Sequence, residues 1–330
     1  MQIALQLVGG LILLMLGGEL LVRGAVQVAT RFGVSPLVIG LTLVGFGTST
    51  PELVTSVQAA LSGSPGIAYG NIVGSNIANI LLILGIAAII TPIAVSSNAL
   101  KRDSTIMVLV TVVFAIVAAL VPMGLLAGLV FVLALAGYIF AAFWQERGLA
   151  AGALDDAHGA AFDKSLALQE ADPALKAPSE IGRSAFLSIL IAIAGLALVV
   201  LGGNLLVSGA VGLARSFSIS ETIIGLTIVA IGTSMPELVT SVMAALRKQT
   251  EVAFGNVVGS NIYNILGIGG FTALISPTNV PSEIVRFDNL IMIGASLVLV
   301  AFAFTGRRIS RREGAVLVAG YAAYVALIWP

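Results

Sequence analysis

The sequence predicts an all-α integral membrane protein of ten transmembrane helices, arranged as two inverted five-helix repeats. Three observations carry this expectation. The 330 residues are 58% apolar and only 10% charged, with a mean hydropathy of +1.08. About ten runs are long enough to cross a ~30 Å hydrocarbon core, and the first half of the chain recurs in the second at a constant offset of 185 residues. A water-soluble domain carries roughly 25% charge, so this chain lacks the surface that water demands and must sit in lipid. Its 16 basic and 16 acidic residues leave no net field, which argues against nucleic acid as a partner. Absence of cysteine excludes disulfides, thiolate metal sites and cysteine nucleophiles. The 37 glycines suit helices that pack closely in lipid.

The expected spans are approximately 3–22, 35–61, 67–91, 103–121, 123–144, 184–207, 220–246, 252–276, 287–305 and 314–329. Each is a helix, because a helix satisfies its own backbone where no water is present. The continuous apolar runs are too long for the short alternating strands of a β-barrel. Eleven of the 32 charges fall between Gln145 and Arg183, so the chain divides into a first five-helix repeat (1–144), a polar linker (145–183) and a second repeat (184–330). His158 belongs to that linker and is expected to be solvated. With alternate loops assigned to alternate sides, one side collects fourteen Lys and Arg and the other only Arg215 and Arg286. The positive-inside rule makes the fourteen-charge side cytoplasmic. The linker is then cytoplasmic and both termini lie outside, in a multi-pass protein of a plasma membrane, the inner membrane of a bacterium or archaeon. The N-terminus has no basic leader or Ala-x-Ala cleavage site, so it reads as a retained span.

The repeat is close. Gly40 to Leu61 matches Gly225 to Leu246 at 17 of 22 positions, and Gly70 to Leu81 matches Gly255 to Leu266 at 10 of 12. Five spans per copy is an odd number, so the second copy must cross the bilayer upside down. Inverted repeats recur in secondary transporters, whose sites lie near the midplane on interrupted helices.

The matching segments hold the chemistry. From Phe32 to Leu100 the one formal charge is Glu52, and its counterpart Glu237 is the one charge between Glu221 and Arg247. A carboxylate at that depth costs a few kcal/mol and by default marks an ion pathway. Neither Glu has a basic partner in its own span, which leaves a bound cation as the simplest counter-charge. Thr48 and Ser49 precede Glu52 by four and three residues, on the carboxylate's face of a helix; Thr233, Ser234 and Glu237 repeat the pattern. Pro51 and Pro236 lack an N–H, so a carbonyl near Gly47 and near Gly232 is freed. In the next span Asn71, Ser75 and Asn79 fall at steps of four, with Asn256, Ser260 and Asn264 as their copy. Carboxylate, hydroxyl, amide and carbonyl oxygens are hard ligands, suited to Ca²⁺ or Na⁺ and not to zinc or copper.

Each feature alone has a blander reading: a proline kink patched by Ser or Thr, an Asn row acting as interhelical glue, a structural buried Glu. Duplication at identical offsets in inverted copies favours a joint site. Glu19 lies one turn from Arg23 and reads as half of a local ion pair, while Asp103 and Asp288 read as helix caps.

At these residues, Gly47 to Glu52 with Gly70 to Asn76, and their copies Gly232 to Glu237 and Gly255 to Asn261, the sequence resembles the two α-repeats of the calcium/cation antiporter superfamily, specifically prokaryotic sodium/calcium exchangers. The resemblance implies exchange of one Ca²⁺ for several Na⁺, with Glu52 and Glu237 as central ligands. Thr48, Ser49, Thr233, Ser234, Ser75, Asn79, Ser260 and Asn264 would flank them, together with the carbonyls of Gly45 and Ala230. Some prokaryotic exchangers carry Asp where this chain has Asn264, so here the site holds two formal negative charges. One Ca²⁺ or two Na⁺ neutralise it; three Na⁺ leave an excess of one positive charge.

The expected function is therefore Ca²⁺/Na⁺ antiport by alternating access, with no enzymatic activity, no cofactor, Ca²⁺ and Na⁺ as substrates, lipid as surroundings and no obligatory protein partner. A proton-coupled Ca²⁺ exchanger is the alternative, a passive channel and an intramembrane hydrolase more remote ones. The linker is too short for the large Ca²⁺-sensing domains of animal relatives.

Overall fold

A computed structural model of the chain describes residues 2–32, 34, 39, 42–43, 45–95, 98–150, 160–171 and 185–330. Its elements are helices α1 (Gln2–Arg31), α2 (Thr50–Leu61), α3 (Pro65–Ile90), α4 (Asn98–Leu120), α5 (Leu125–Ala150), α6 (Ala160–Ala171), α7 (Ala185–Phe217), α8 (Glu221–Thr233), α9 (Met235–Leu246), α10 (Thr250–Ile275), α11 (Asn289–Gly306) and α12 (Arg311–Ile328). Among the described residues one pair of two-residue strands, β1 (Ile93–Ala94) and β2 (Arg308–Ile309), is antiparallel.

Among the described residues, seven helices are long and apolar enough to cross a membrane, or eight if the bent pair α8 and α9 forms one span. The two further spans expected from the sequence have physical explanations. Most of the start of the second span, 35–44, lies outside the described residues, as does His158. In α12, Arg311, Arg312 and Glu313 fill the first turn and shorten its apolar stretch.

Two helices overrun their expected ends. α1 continues to Arg31 and α7 to Phe217, giving 30 and 33 residues where about twenty suffice to span. At 1.5 Å per residue such helices are roughly 45–50 Å long. Polar residues end the apolar run but not the hydrogen-bonded spiral, so boundaries placed where hydropathy falls come too early.

α1 and α7 are equivalent under the 185-residue offset, and they pack antiparallel. A methyl group on Gly10 would meet the backbone of Leu206 at 2.6 Å, one on Gly17 that of Val199 at 2.7 Å, and one on Gly24 that of Ala192 at 2.6 Å. Gly195 and Gly202 face Leu21 and Leu14 in return. Glycine every seven residues lets the two backbones touch, which is how helices gain packing energy where lipid offers no hydrophobic drive.

The centre of the molecule is formed by the other duplicated elements. In α3 and α10, 83% of the apolar stretch is buried inside the protein, against 22–39% for the remaining long helices. α4, α5 and α11 pack against α3 and α10, whereas α1 and α7 pack against each other and against α2 and α8. The copies also clasp each other at their loops. β1 follows Pro92 in the first copy and pairs with β2 of the second, and Thr278, after Pro277, bridges to Met123 of the first.

The two helices that carry the buried glutamates, α2 and α9, begin alike. Ser49 precedes α2 with φ −82° and ψ 3°, and Ser234 precedes α9 with φ −83° and ψ 9°. Pro51 and Pro236 occupy the first turn, where a missing N–H costs nothing, and the axis bends by 48° between α8 and α9. α3 and α10 carry π-helical stretches at matching places, Asn79–Leu84 and Tyr263–Gly269. Such stretches cluster at functional sites.

The glycine contact yields a stability test. Gly17→Leu should lower the melting temperature of detergent-purified protein, since overpacking costs about 1–3 kcal/mol. Gly9→Leu, where an added methyl meets nothing within 4 Å, should be neutral. Equal melting of both variants would contradict the close α1–α7 contact.

Candidate cation-binding site

The breaks before α2 and α9 place each Glu on the first turn of its helix, facing the other copy. Glu52 is 1% exposed and Glu237 is fully buried. Their nearest hydroxyl donors are exchanged between copies: Ser234 donates to Glu52 Oε1 at 3.0 Å, and Ser49 donates to Glu237 Oε1 at 3.4 Å. Each serine precedes its own Glu by three residues but serves the opposite one. The two carboxylates therefore share one polar pocket at the junction of the repeats.

The asparagine rows of α3 and α10 support this pocket from behind. Asn71 donates to the Glu52 carbonyl at 3.2 Å and to Ser56 at 3.0 Å, and Asn256 donates to the Glu237 carbonyl at 3.4 Å and to Ser241 at 2.8 Å. Thr233 donates to Asn71 Oδ1 at 2.9 Å, and Ser75 lies 3.5 Å from the same atom. Glu52, Ser56, Thr233 and Ser75 are thus linked through Asn71, and Ser234 joins them through the Glu52 carboxylate.

The second half of the pocket differs. Lys164 of α6 is fully buried, and its ammonium donates to Thr48 at 2.9 Å, Ser49 at 3.3 Å and Ser260 at 2.5 Å. It lies 3.6 Å from Glu237 Oε1 and 5.7 Å from the centre of the Tyr263 ring. At an effective dielectric of 20 that ion pair is worth roughly 4–5 kcal/mol of attraction, set against the cost of burying both charges. Where Thr233 reaches Asn71, its copy Thr48 instead holds the lysine, and Asn256 Oδ1 has no hydrogen-bond partner among the described residues.

Of the twelve candidate residues, eight belong to this network. Asn79 donates to Asn261 Oδ1 at 3.0 Å, and the Asn264 amide makes no hydrogen bond among the described residues. Both sit at the π-helical stretches. Gly45 is buried in the turn before Thr48, and the Ala230 carbonyl accepts the Ser234 amide at 3.1 Å and the Thr233 hydroxyl at 3.4 Å. Second oxygens of both carboxylates, Glu52 Oε2 and Glu237 Oε2, and Asn79 Oδ1 are buried without donors among the described residues. These hard, electron-rich atoms suit a cation of the Ca²⁺ or Na⁺ type.

Lys164 is not among the residues that the sequence singles out, since the linker reads as solvated charge. The caps also differ from expectation. Asp103 lies within α4 and does not cap it; it accepts the Ala160 amide at 2.6 Å, Tyr138 at 3.4 Å and Arg102 at 2.8 Å. It therefore caps α6. Asp288 accepts Tyr324 at 2.8 Å and makes no side-chain bond to the start of α11. Burial draws these carboxylates toward phenol donors of neighbouring helices in place of their own backbone. Glu19 and Arg23 do form the expected ion pair.

Residues 3–144 and 187–329 match the family described as sodium/calcium exchanger protein. The chain belongs to that family. Sodium/calcium exchanger MaX1 of Methanosarcina acetivorans is 36% identical over 338 residues, covering 97% of this chain and 96% of its own. The putative antiporter CaxA of Alkalimonas amylolytica is 35% identical over 327 residues, covering 97% and 96%. Among solved structures, the sodium-calcium exchanger NCX_Mj soaked with 10 mM Na⁺ and 10 mM Sr²⁺ superimposes with a TM-score of 0.61 at 31% identity, covering 98% of each chain. Sodium/calcium exchanger relatives thus span nearly all of this sequence, whereas the family match passes over 145–186, where Lys164 lies.

Asn256→Ala should lower thermal stability by about 1–3 kcal/mol, because the Glu237 carbonyl, Thr240 and Ser241 would lose a buried donor. Thermal unfolding in detergent measures it. An unchanged melting temperature would show that the row does not brace Glu237.

Proposed function

We propose that this chain is a secondary antiporter exchanging Ca²⁺ for Na⁺ by alternating access, at a site built from Glu52 and Glu237. Thr48, Ser49, Thr233, Ser234, Ser75 and Ser260 supply flanking oxygens, with Asn79, Asn264 and the Gly45 and Ala230 carbonyls at its margins. The observation that carries this reading is the crossed pairing of Ser234 with Glu52 and Ser49 with Glu237. It couples the two copies through the groups that a cation needs, in a chain of the exchanger family.

The chemistry follows from charge. Two carboxylates ~5 Å apart repel by roughly 3 kcal/mol at an effective dielectric of 20. One Ca²⁺ or two Na⁺ cancel them, so either substrate relieves the same penalty and the two compete. A filled, neutral site lets the outer helices slide past the central ones, and the antiparallel α1 and α7 are the pair suited to that movement. Ten spans in two inverted repeats, a cytoplasmic linker and both termini outside an inner membrane complete the reading. The antiparallel packing of equivalent helices supports the inversion.

The decisive experiment is ⁴⁵Ca²⁺ uptake into vesicles of purified protein loaded with Na⁺, K⁺ or H⁺. Na⁺ loading should drive uptake above the other two, and Glu52→Gln should reduce it at least about a hundredfold, since a central charged ligand contributes several kcal/mol. Uptake driven by a pH gradient without Na⁺ would select proton coupling. Parental uptake by Glu52→Gln would remove the site.

A further inference from the structure

We propose that α6 is an autoinhibitory plug whose Lys164 ammonium takes the place of a transported cation in the Glu237 half of the site. The proposal rests on the exchange reading above and adds a regulatory segment to it.

Four groups around the ammonium, Thr48, Ser49, Ser260 and Glu237, are among the candidate cation ligands. Three N–H groups meet three hydroxyl oxygens, with the carboxylate and the Tyr263 ring closing the shell. A lysine is the one side chain that can deliver a compact positive charge on a long thin stem. With it in place the two glutamates and one ammonium sum to −1, a charge that a divalent ion over-neutralises. Cation binding at Glu237 and docking of Lys164 use the same oxygens, so they exclude each other.

The helix is seated by more than its lysine. α6 lies on Gly255 and Gly259 of α10: a methyl on Gly255 would collide with Asp163 Cβ, and one on Gly259 would come within 3.2 Å of Lys164 Cβ. Asp103 caps its first amide, and Ala160 and Ala161 are fully buried. In the other half of the molecule, the equivalent Gly70 and Gly74 pack against Thr222, Gly225 and Leu226 of α8. One groove is thus filled by a helix of the family-matched body, and its twin by the segment that the family match passes over.

By reciprocity, a cation that fills the Glu237 half must loosen α6 by the factor by which α6 weakens that cation. On the proposed orientation α6 reaches the site from the cytoplasm. The exchanger would then stand closed at low cytoplasmic cation and open as that cation rises.

The chain has no cysteine, so a single Ala161→Cys reports on docking through its reaction with a bulky water-soluble maleimide, in full-length protein in detergent. Ca²⁺ should accelerate labelling about tenfold over K⁺ alone, and Lys164→Met in the same background should label fast without Ca²⁺. In vesicles, Lys164→Met should lower the half-saturating Ca²⁺ about tenfold, as expected if roughly nine-tenths of the protein is docked. Labelling that ignores Ca²⁺ overturns the plug, whether or not Lys164→Met folds. Should Lys164→Met leave half-saturation unchanged while Glu52→Gln abolishes uptake, the plug is wrong and the exchange reading stands. Should the parent move no Ca²⁺ at all, exchange fails and the Ca²⁺ dependence of labelling alone decides the plug.

Discussion

Two carboxylates in a dehydrated interior need positive charge, and the architecture around them is arranged to bring it there. Glu52 and Glu237 are buried on the first turns of α2 and α9, and each accepts from a serine of the opposite repeat. Water cannot solvate them, and no basic residue lies in their own spans. The described residues supply one ammonium, from outside both repeats. The requirement for a counter-charge thus links the site, the duplication and the intervening segment.

Duplication explains much of the geometry. The same dihedrals at Ser49 and Ser234, the same proline positions and the same asparagine rows give two half-sites of like construction. They are not used alike. Thr233 closes onto Asn71, whereas Thr48 turns to Lys164 and leaves Asn256 Oδ1 unmatched among the described residues. A pseudo-symmetric pair held in two different arrangements is the kind of bistable element that transport by alternating access requires.

Much of this is legible in the sequence because the signals are local or periodic. A lone Glu in a long uncharged stretch, a Thr-Ser-x-Pro-Glu motif and Asn at steps of four each translate directly into a helix face, and the 185-residue offset joins them. What stays hidden depends on long-range packing. Lys164 is one charge among eleven in the linker, and only the seat offered by Gly255 and Gly259 makes it a buried group. Asp103 reads as a cap of its own helix, yet its acceptor faces the start of α6, a neighbour 57 residues along the chain. Helix ends at Arg31 and Phe217 escape because hydropathy measures contact with lipid, while backbone hydrogen bonding sets where a helix stops. The Asn79–Leu84 and Tyr263–Gly269 π-helical stretches leave no pattern that hydrophobic periodicity can detect.

Charge compensation can be measured without transport. In buffer free of Na⁺ and Ca²⁺, the melting temperature of Lys164→Met should fall below the parental value, since both glutamates then lie buried with no cation. Ca²⁺ should restore it, and so should a second change, Glu237→Gln, in the absence of any metal. If Lys164→Met melts like the parent in ion-free buffer and neither Ca²⁺ nor Glu237→Gln moves it, the two carboxylates do not depend on a compensating charge and the account is contradicted.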